Sequence, residues 1–167
     1  MTKKEKKLIN KLMQNKISKE YFLQVFPINI IDNPTYIQNL LEIAYKDKEA
    51  NDIEYLLIVG FKFNLFTEDY TNILCRLLLE QWHYQHENIA RILQILKMPE
   101  SIDCLYKTAK SKFKYLEYND SSALAVKCIW VLGEINTDEA REKLKLLTQS
   151  KNQIISDNAK YQLNRNR

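Results

Sequence analysis

The sequence predicts an all-α protein built of stacked helical hairpins, and three observations carry that prediction. Apolar residues recur at helical spacing along nearly the whole chain. Only two glycines, Gly60 and Gly133, and three prolines punctuate 167 residues. Short polar connections separate one apolar stripe from the next. Hairpin-rich β-folds lean on glycine and proline turns, so they are disfavoured. Dinucleotide and phosphate loops need several closely spaced glycines, because backbone must approach phosphate directly; two isolated glycines cannot supply them. A chain of this length can bury roughly 70% of its unfolded surface, enough for a core.

Each element follows from its stripe and its punctuation. Helices are expected near 3–15 and 18–26. Ile37, Leu40, Leu41, Ala44 and Tyr45 mark a helix over 34–47, with Asn33 as its cap and Pro34 at its first position. Ile53, Leu56, Leu57 and Gly60 mark 51–63, opened by an Asn51/Glu54 capping box. Phe61 to Phe66 alternates like a strand but is short, and reads as a helix end plus connection. Tyr70, Ile73, Leu74, Leu77 and Leu78 mark 67–80, with Thr67 before Glu68 and Asp69 at the positive end of the helix dipole. Ile89, Ile92, Leu93 and Leu96 mark 85–97, and Pro99 opens 99–111. Leu124, Cys128, Val131, Leu132 and Ile135 mark 121–135. An Asn136/Glu139 capping box, then Ala140, Leu144 and Leu147, mark 137–149, and a last helix covers 152–164.

These hairpins repeat. A shift of 39 residues lays Leu93 on Leu132, Leu96 on Ile135, Ser101 on Ala140 and Leu105 on Leu144. A shift of 31 lays Leu124 on Ile155, Cys128 on Ala159 and Leu132 on Leu163. One helical pair cannot bury its stripe alone, whereas stacked pairs fuse their stripes into one core. The segment Ala125–Leu144 resembles a HEAT-type repeat: one helix ends at Leu132-Gly133, a polar turn follows, and the next opens with Asp138-Glu139-Ala140 and reaches Leu144. The match extends over 85–164 and, loosely, over 34–80. It implies a single-domain right-handed α-solenoid (HEAT/armadillo-like) over 1–167, a protein-binding class, and a concave surface lined by the helices at 34–47, 67–80, 99–111 and 137–149. In size, fold and lysine- and asparagine-rich style, the chain is also similar to bacterial immunity proteins that neutralise toxins of contact-dependent inhibition systems.

Charge is polarised. Residues 1–16 carry six lysines and one glutamate, whereas residues 32–69 carry eight acids against three lysines. No sustained cationic track runs through the rest of the chain, so a nucleic acid is the weaker expectation; its route would be the lysine-rich start with Arg165 and Arg167. The acidic segment suits a cationic protein partner, such as a toxin domain. No apolar run follows the basic start as in a secretory signal, and no stretch is long enough to span a membrane. Cys75, Cys104 and Cys128 are odd in number, widely spaced and set in apolar runs, which reads as three buried thiols in a reducing cytoplasm.

The densest polar-aromatic cluster runs from Gln81 to Glu87. His83, His86 and Glu87 could be metal ligands, but their order matches no known zinc pattern. They could also pack and cap a helix junction, or form a partner patch with Trp82. Neither His83 nor a Glu54/Glu68 pair is joined by a nucleophile motif, so no enzyme and no cofactor is expected. Tyr106, Tyr115 and Tyr118 surround a long connection as partner anchors or loop clasps. The expected partner-binding set is therefore Asp47, Glu68, Asp69, Trp82, His83, His86, Glu87, Tyr106 and Tyr118.

Overall fold

The computed structural model describes residues 1–116 and 122–165, and among them the backbone is all-helical, with no strand. The sequence reading treats the chain as one domain. Its contacts divide it into two compact units, Met1–Phe66 and Thr67–Arg167, and each is taken by itself.

The first unit holds α1 (Lys3–Met13), α2 (Lys19–Val25), α3 (Thr35–Asp47) and α4 (Ala50–Phe63). A capping box starts α1: the Thr2 hydroxyl accepts from the Glu5 amide at 3.2 Å, and the Glu5 carboxylate accepts from the Thr2 amide at 2.6 Å. Glu5 is buried and also accepts from the Tyr36 hydroxyl at 2.5 Å. Burial alone would raise its pKa, but the hydrogen bonds from Tyr36 and Thr2 win and lower it. Ile9 and Leu12 of α1 face the core, leaving Lys3, Lys4, Lys7 and Lys11 exposed on the other side. Buried Asp52 on α4 is ion-paired with the Met1 amine at 3.1 Å and with Lys6 at 2.5 Å. Helix α3 packs on α4 through the expected stripe residues Ile37, Leu41, Ile53 and Leu56.

Helix ends here are made without glycine. Lys48 and Asn64 take φ of 54° and 53°, and the amides that follow them reach back to Ala44 and Gly60 carbonyls at 2.9 and 3.0 Å. Gly60 serves a different need, because the Phe66 ring occupies the place of its missing Cβ. The helix starts also differ from expectation. Asn33 does not cap α3; Pro34 holds the cap position and the Asn33 amide donates to the Asn29 carbonyl. No side chain caps α4, whose first residue is Ala50.

The second unit holds α5 (Thr71–Leu78), α6 (His86–Leu96), α7 (Ile102–Lys110), α8 (Ala123–Ile135), α9 (Asp138–Leu147) and α10 (Gln153–Arg165). Single 3-10 turns at Glu68–Tyr70 and Pro99–Ser101 lead into α5 and α7, so the spans expected from 67 and 99 begin one tighter turn before the α-helix. Helices α5, α7 and α9 pack successively in one row, and α6, α8 and α10 in a second. Helix α8 is buried by both rows through Leu124, Cys128, Ile129 and Leu132. The α9 cap is Thr137, which accepts from the Ala140 amide at 3.2 Å, while Asn136 closes α8 in the left-handed region.

The cysteine expectation is corrected. Cys75 on α5 and Cys104 on α7 form a disulfide, with Cα atoms 5.4 Å apart, and only Cys128 is free and buried. The packing of α5 on α7 brings together two cysteines 29 residues apart, which their sequence spacing could not reveal. The argument from thiols to a reducing compartment falls with it. No helix among the described residues is long and apolar enough to cross a membrane.

Candidate functional site

The Gln81–Glu87 cluster forms the junction between α5 and α6. A helix end leaves carbonyls unpaired, and α5 ends at Leu78 with its last carbonyls facing inward. The His83 Nε2–H donates to the Leu77 carbonyl at 2.8 Å, and its Nδ1 accepts from the Gln85 amide at 3.1 Å. The His86 Nε2–H donates to the Glu80 carbonyl at 2.6 Å, so its Nδ1 accepts from the Tyr115 hydroxyl at 2.8 Å. The two rings stack with centroids 4.4 Å apart, between the edge of Trp82 and the ring of Phe113.

Both imidazoles are fully buried and all four ring nitrogens are engaged. Burial is the main cause that lowers both pKa values. The second imidazole adds to the effect on His86, which falls to about 4. Contrary to the expected partner set, His83 and His86 present no ring atom at the surface; they are an internal brace. Tyr115 shares that brace, and burial pushes its hydroxyl up to about 12.

The other expected residues scatter. Trp82 is half-buried and its Nε1 donates to a Glu80 carboxylate oxygen at 2.9 Å. Glu87 pairs with Lys127 at 2.9 Å. The half-buried Tyr106 ring lies under the ammonium groups of Lys110 and Lys143, 4.8 and 5.2 Å from its centroid, so it is not an open anchor. Lys143 in turn pairs with Asp103 at 2.7 Å. Asp47 is exposed at the end of α3 in the first unit. Tyr118 lies outside the described residues.

Glu68 and Asp69 both line one cleft. They sit exposed on the turn before α5 and line a cleft of about 570 Å³ within the second unit. Its near side is completed by Thr71, Asn72, Cys75, Arg76 and Leu79, and its far side by Met98 and Glu100. Three acidic residues and one arginine, Arg76, line it, and the Arg76 Nε donates to the Asn72 side-chain oxygen at 3.0 Å along its own helix, one of its interactions. Thr71 is 5% exposed, and its hydroxyl has no hydrogen-bond partner among the described residues. An orphaned buried hydroxyl costs about 1–3 kcal/mol. The Cys75–Cys104 disulfide ties α5 on the near side to α7, just beyond Glu100 on the far side.

Sequence reasoning missed Thr71, Glu100 and the disulfide. Glu68 and Glu100 are 32 positions apart, and only the packing of α5 against the Pro99–Ser101 turn makes them neighbours. The charge pattern did flag Glu68 and Asp69. Among the described residues, no three His, Cys, Asp or Glu side chains converge as metal ligands would. Comparison of the chain with known protein families, curated proteins and solved structures finds no match.

Proposed function

We propose that this chain is a protein-binding helical-repeat scaffold, an immunity protein that grips and neutralises a basic toxin domain. The observation that carries the reading is the acidic cleft, where Glu68, Asp69 and Glu100 outnumber Arg76 beside an unpartnered buried hydroxyl. The two helical rows of the second unit support the solenoid reading, because each helix packs on the one two places along the chain and, α6 against α7 excepted, on its immediate neighbour, as in a stack of hairpins. The histidines support binding over catalysis, since a general base needs a free nitrogen near a substrate and theirs are spent on carbonyls and neighbouring donors.

Rim charges act mainly on encounter. Reversing them changes the rate at which a cationic partner arrives more than the rate at which it leaves. The partner to test is a basic toxin domain, sought first in any large secreted protein encoded immediately upstream. With it, the Glu68→Lys/Asp69→Lys variant should associate about tenfold more slowly at low salt, with a flatter salt dependence. Association equal to wild type at every salt concentration would reject the cleft as the binding surface.

A second reading has one observation in its favour. Lys3, Lys4, Lys7 and Lys11 share the exposed side of α1 and could touch nucleic-acid phosphates; Arg167 lies outside the described residues. Deleting residues 1–16 would be a poor test, because Ile9 and Leu12 belong to the core. Replacing the four lysines with glutamine removes the charge alone. Duplex binding that is lost in that variant would favour nucleic acid; toxin neutralisation that survives it would favour the protein partner.

A further inference from the structure

We infer that Cys75 is a thiol-exchange site: a small thiol entering the cleft opens the Cys75–Cys104 bond by attacking the Cys75 sulfur, and Cys104 leaves. The inference goes beyond the partner-binding reading and holds whatever partner the cleft takes. The two cysteines are unequal. Cys75, on α5, is half-buried and lines the cleft of about 570 Å³. Cys104, on α7, is 5% exposed and takes no part in that lining. Exchange needs the entering sulfur to reach one end of the bond, so access decides which sulfur is attacked. The third cysteine, Cys128, is buried with its thiol pushed up to about 12, so the nucleophile must come from outside.

The step balances as an exchange. The entering thiolate forms a bond to Cys75 Sγ while the Cys75–Cys104 bond breaks, and the electron pair of the broken bond leaves on Cys104 Sγ. The entering sulfur is oxidised. The Cys104 sulfur is reduced and takes a proton from water, and Cys75 keeps the entering group as a mixed disulfide. Cys104 Sγ lies 3.2 Å from the Ser101 carbonyl, so the new thiol has an acceptor at hand. A second thiolate attacking the entered sulfur releases a small disulfide and leaves Cys75 as a thiol. The bond ties α5, which carries Asn72 and Arg76 on the near side of the cleft, to α7, which follows the turn carrying Glu100 on the far side. Opening it removes that cross-link, and the cleft becomes responsive to the thiols around it.

The test treats the folded full chain with excess 2-mercaptoethanol, an uncharged small thiol. Samples are quenched with acid at intervals, and free thiols are then blocked with N-ethylmaleimide in denaturant. Cys75, Cys104 and Cys128 fall on separate tryptic peptides, so mass spectrometry reads each one by itself. Early in the reaction the mixed disulfide should sit on Cys75 about tenfold more often than on Cys104. A second measurement uses glutathione disulfide on single substitutions. Cys75 in the Cys104→Ser variant should react about tenfold faster than Cys104 in the Cys75→Ser variant. A mixed disulfide divided evenly or found on Cys104 would overturn the assignment. So would a bond that opens no faster than the whole chain unfolds, or equal rates in the two variants. If either variant fails to fold, trapping in the wild-type protein decides alone.

Discussion

Acidification should weaken this protein well above the range in which carboxylates titrate, and the histidine brace sets the size of the effect. In the unfolded chain a histidine takes up its proton near pH 6.5. Folded, His86 holds off protonation until about pH 4, because its ring is buried beside His83 and its Nδ1 lone pair is engaged with Tyr115. Between those values the unfolded state binds more protons, so stability falls as pH drops, at up to about 1.4 kcal/mol per pH unit for each such group. The loss begins near pH 6.5 and is complete below about pH 4. By pH 4.5 His86 alone would cost about 2.5 kcal/mol, and water near the half-buried Trp82 and Tyr115 screens this to about 2 kcal/mol. His83 is shifted in the same direction and adds to it. The charged groups facing the pair are few: the Glu80 carboxylate, held by Trp82, and Glu87, paired with Lys127. Urea denaturation at a series of pH values from 7 to 4.5 reads the slope directly. His86→Gln keeps a donor for the Glu80 carbonyl without a titrating ring, so it should be less stable at pH 7 but show a shallower slope. Parallel slopes in the two proteins, or a wild-type stability flat down to pH 5, would refute the buried neutral pair.

Three further outcomes follow from local geometry. Opening the Cys75–Cys104 bond, which closes a loop of 29 residues, should lower stability by about 3–4 kcal/mol on the chain-entropy account, measured by urea denaturation with and without a phosphine reductant. The native oxidised protein should show no reactive thiol to an aromatic disulfide reagent and a single one after denaturation, because burial pushes the Cys128 thiol up to about 12 and the other two sulfurs are bonded. Lys48→Gly should raise stability by about 0.5–1 kcal/mol, since it relieves a left-handed lysine at an exposed helix end, and a thermal melt would detect the gain.

The helices were legible because their signal is local. A stripe such as Ile73, Leu74, Leu77 and Leu78 falls on one side of a helix wherever that helix ends up, and all four are buried. The caps were less legible, for a reason visible at Asn136. Its side chain has the chemistry of a cap and Glu139 lies three residues on, but asparagine also tolerates the left-handed region, and here it ends α8 while Thr137 starts α9. Lys48 and Lys97 show the same limit more sharply. Lysine carries no turn signal, and each adopts a left-handed φ because the chain must stop there to let the next element pack.

The candidate site was legible only as far as charge could be counted along the chain. Glu68 and Asp69 stood out as acids, but the cleft they line is completed by Glu100, which no spacing links to them. The histidines were misleading in the opposite way. Two imidazoles within three residues look like a site because their chemistry is versatile, yet the same versatility lets each one donate to a helix-end carbonyl and accept from a neighbour at once. Once both nitrogens are used the ring has nothing left for a ligand. Thr71 shows the opposite case: it is an ordinary residue at the start of a helix, and only the packing leaves its hydroxyl buried without a partner among the described residues. A polar group's readiness to bind is thus set by the bonds it has left over and by whether its atoms reach the surface, both decided by tertiary packing, and by that measure the imidazole pair is spent.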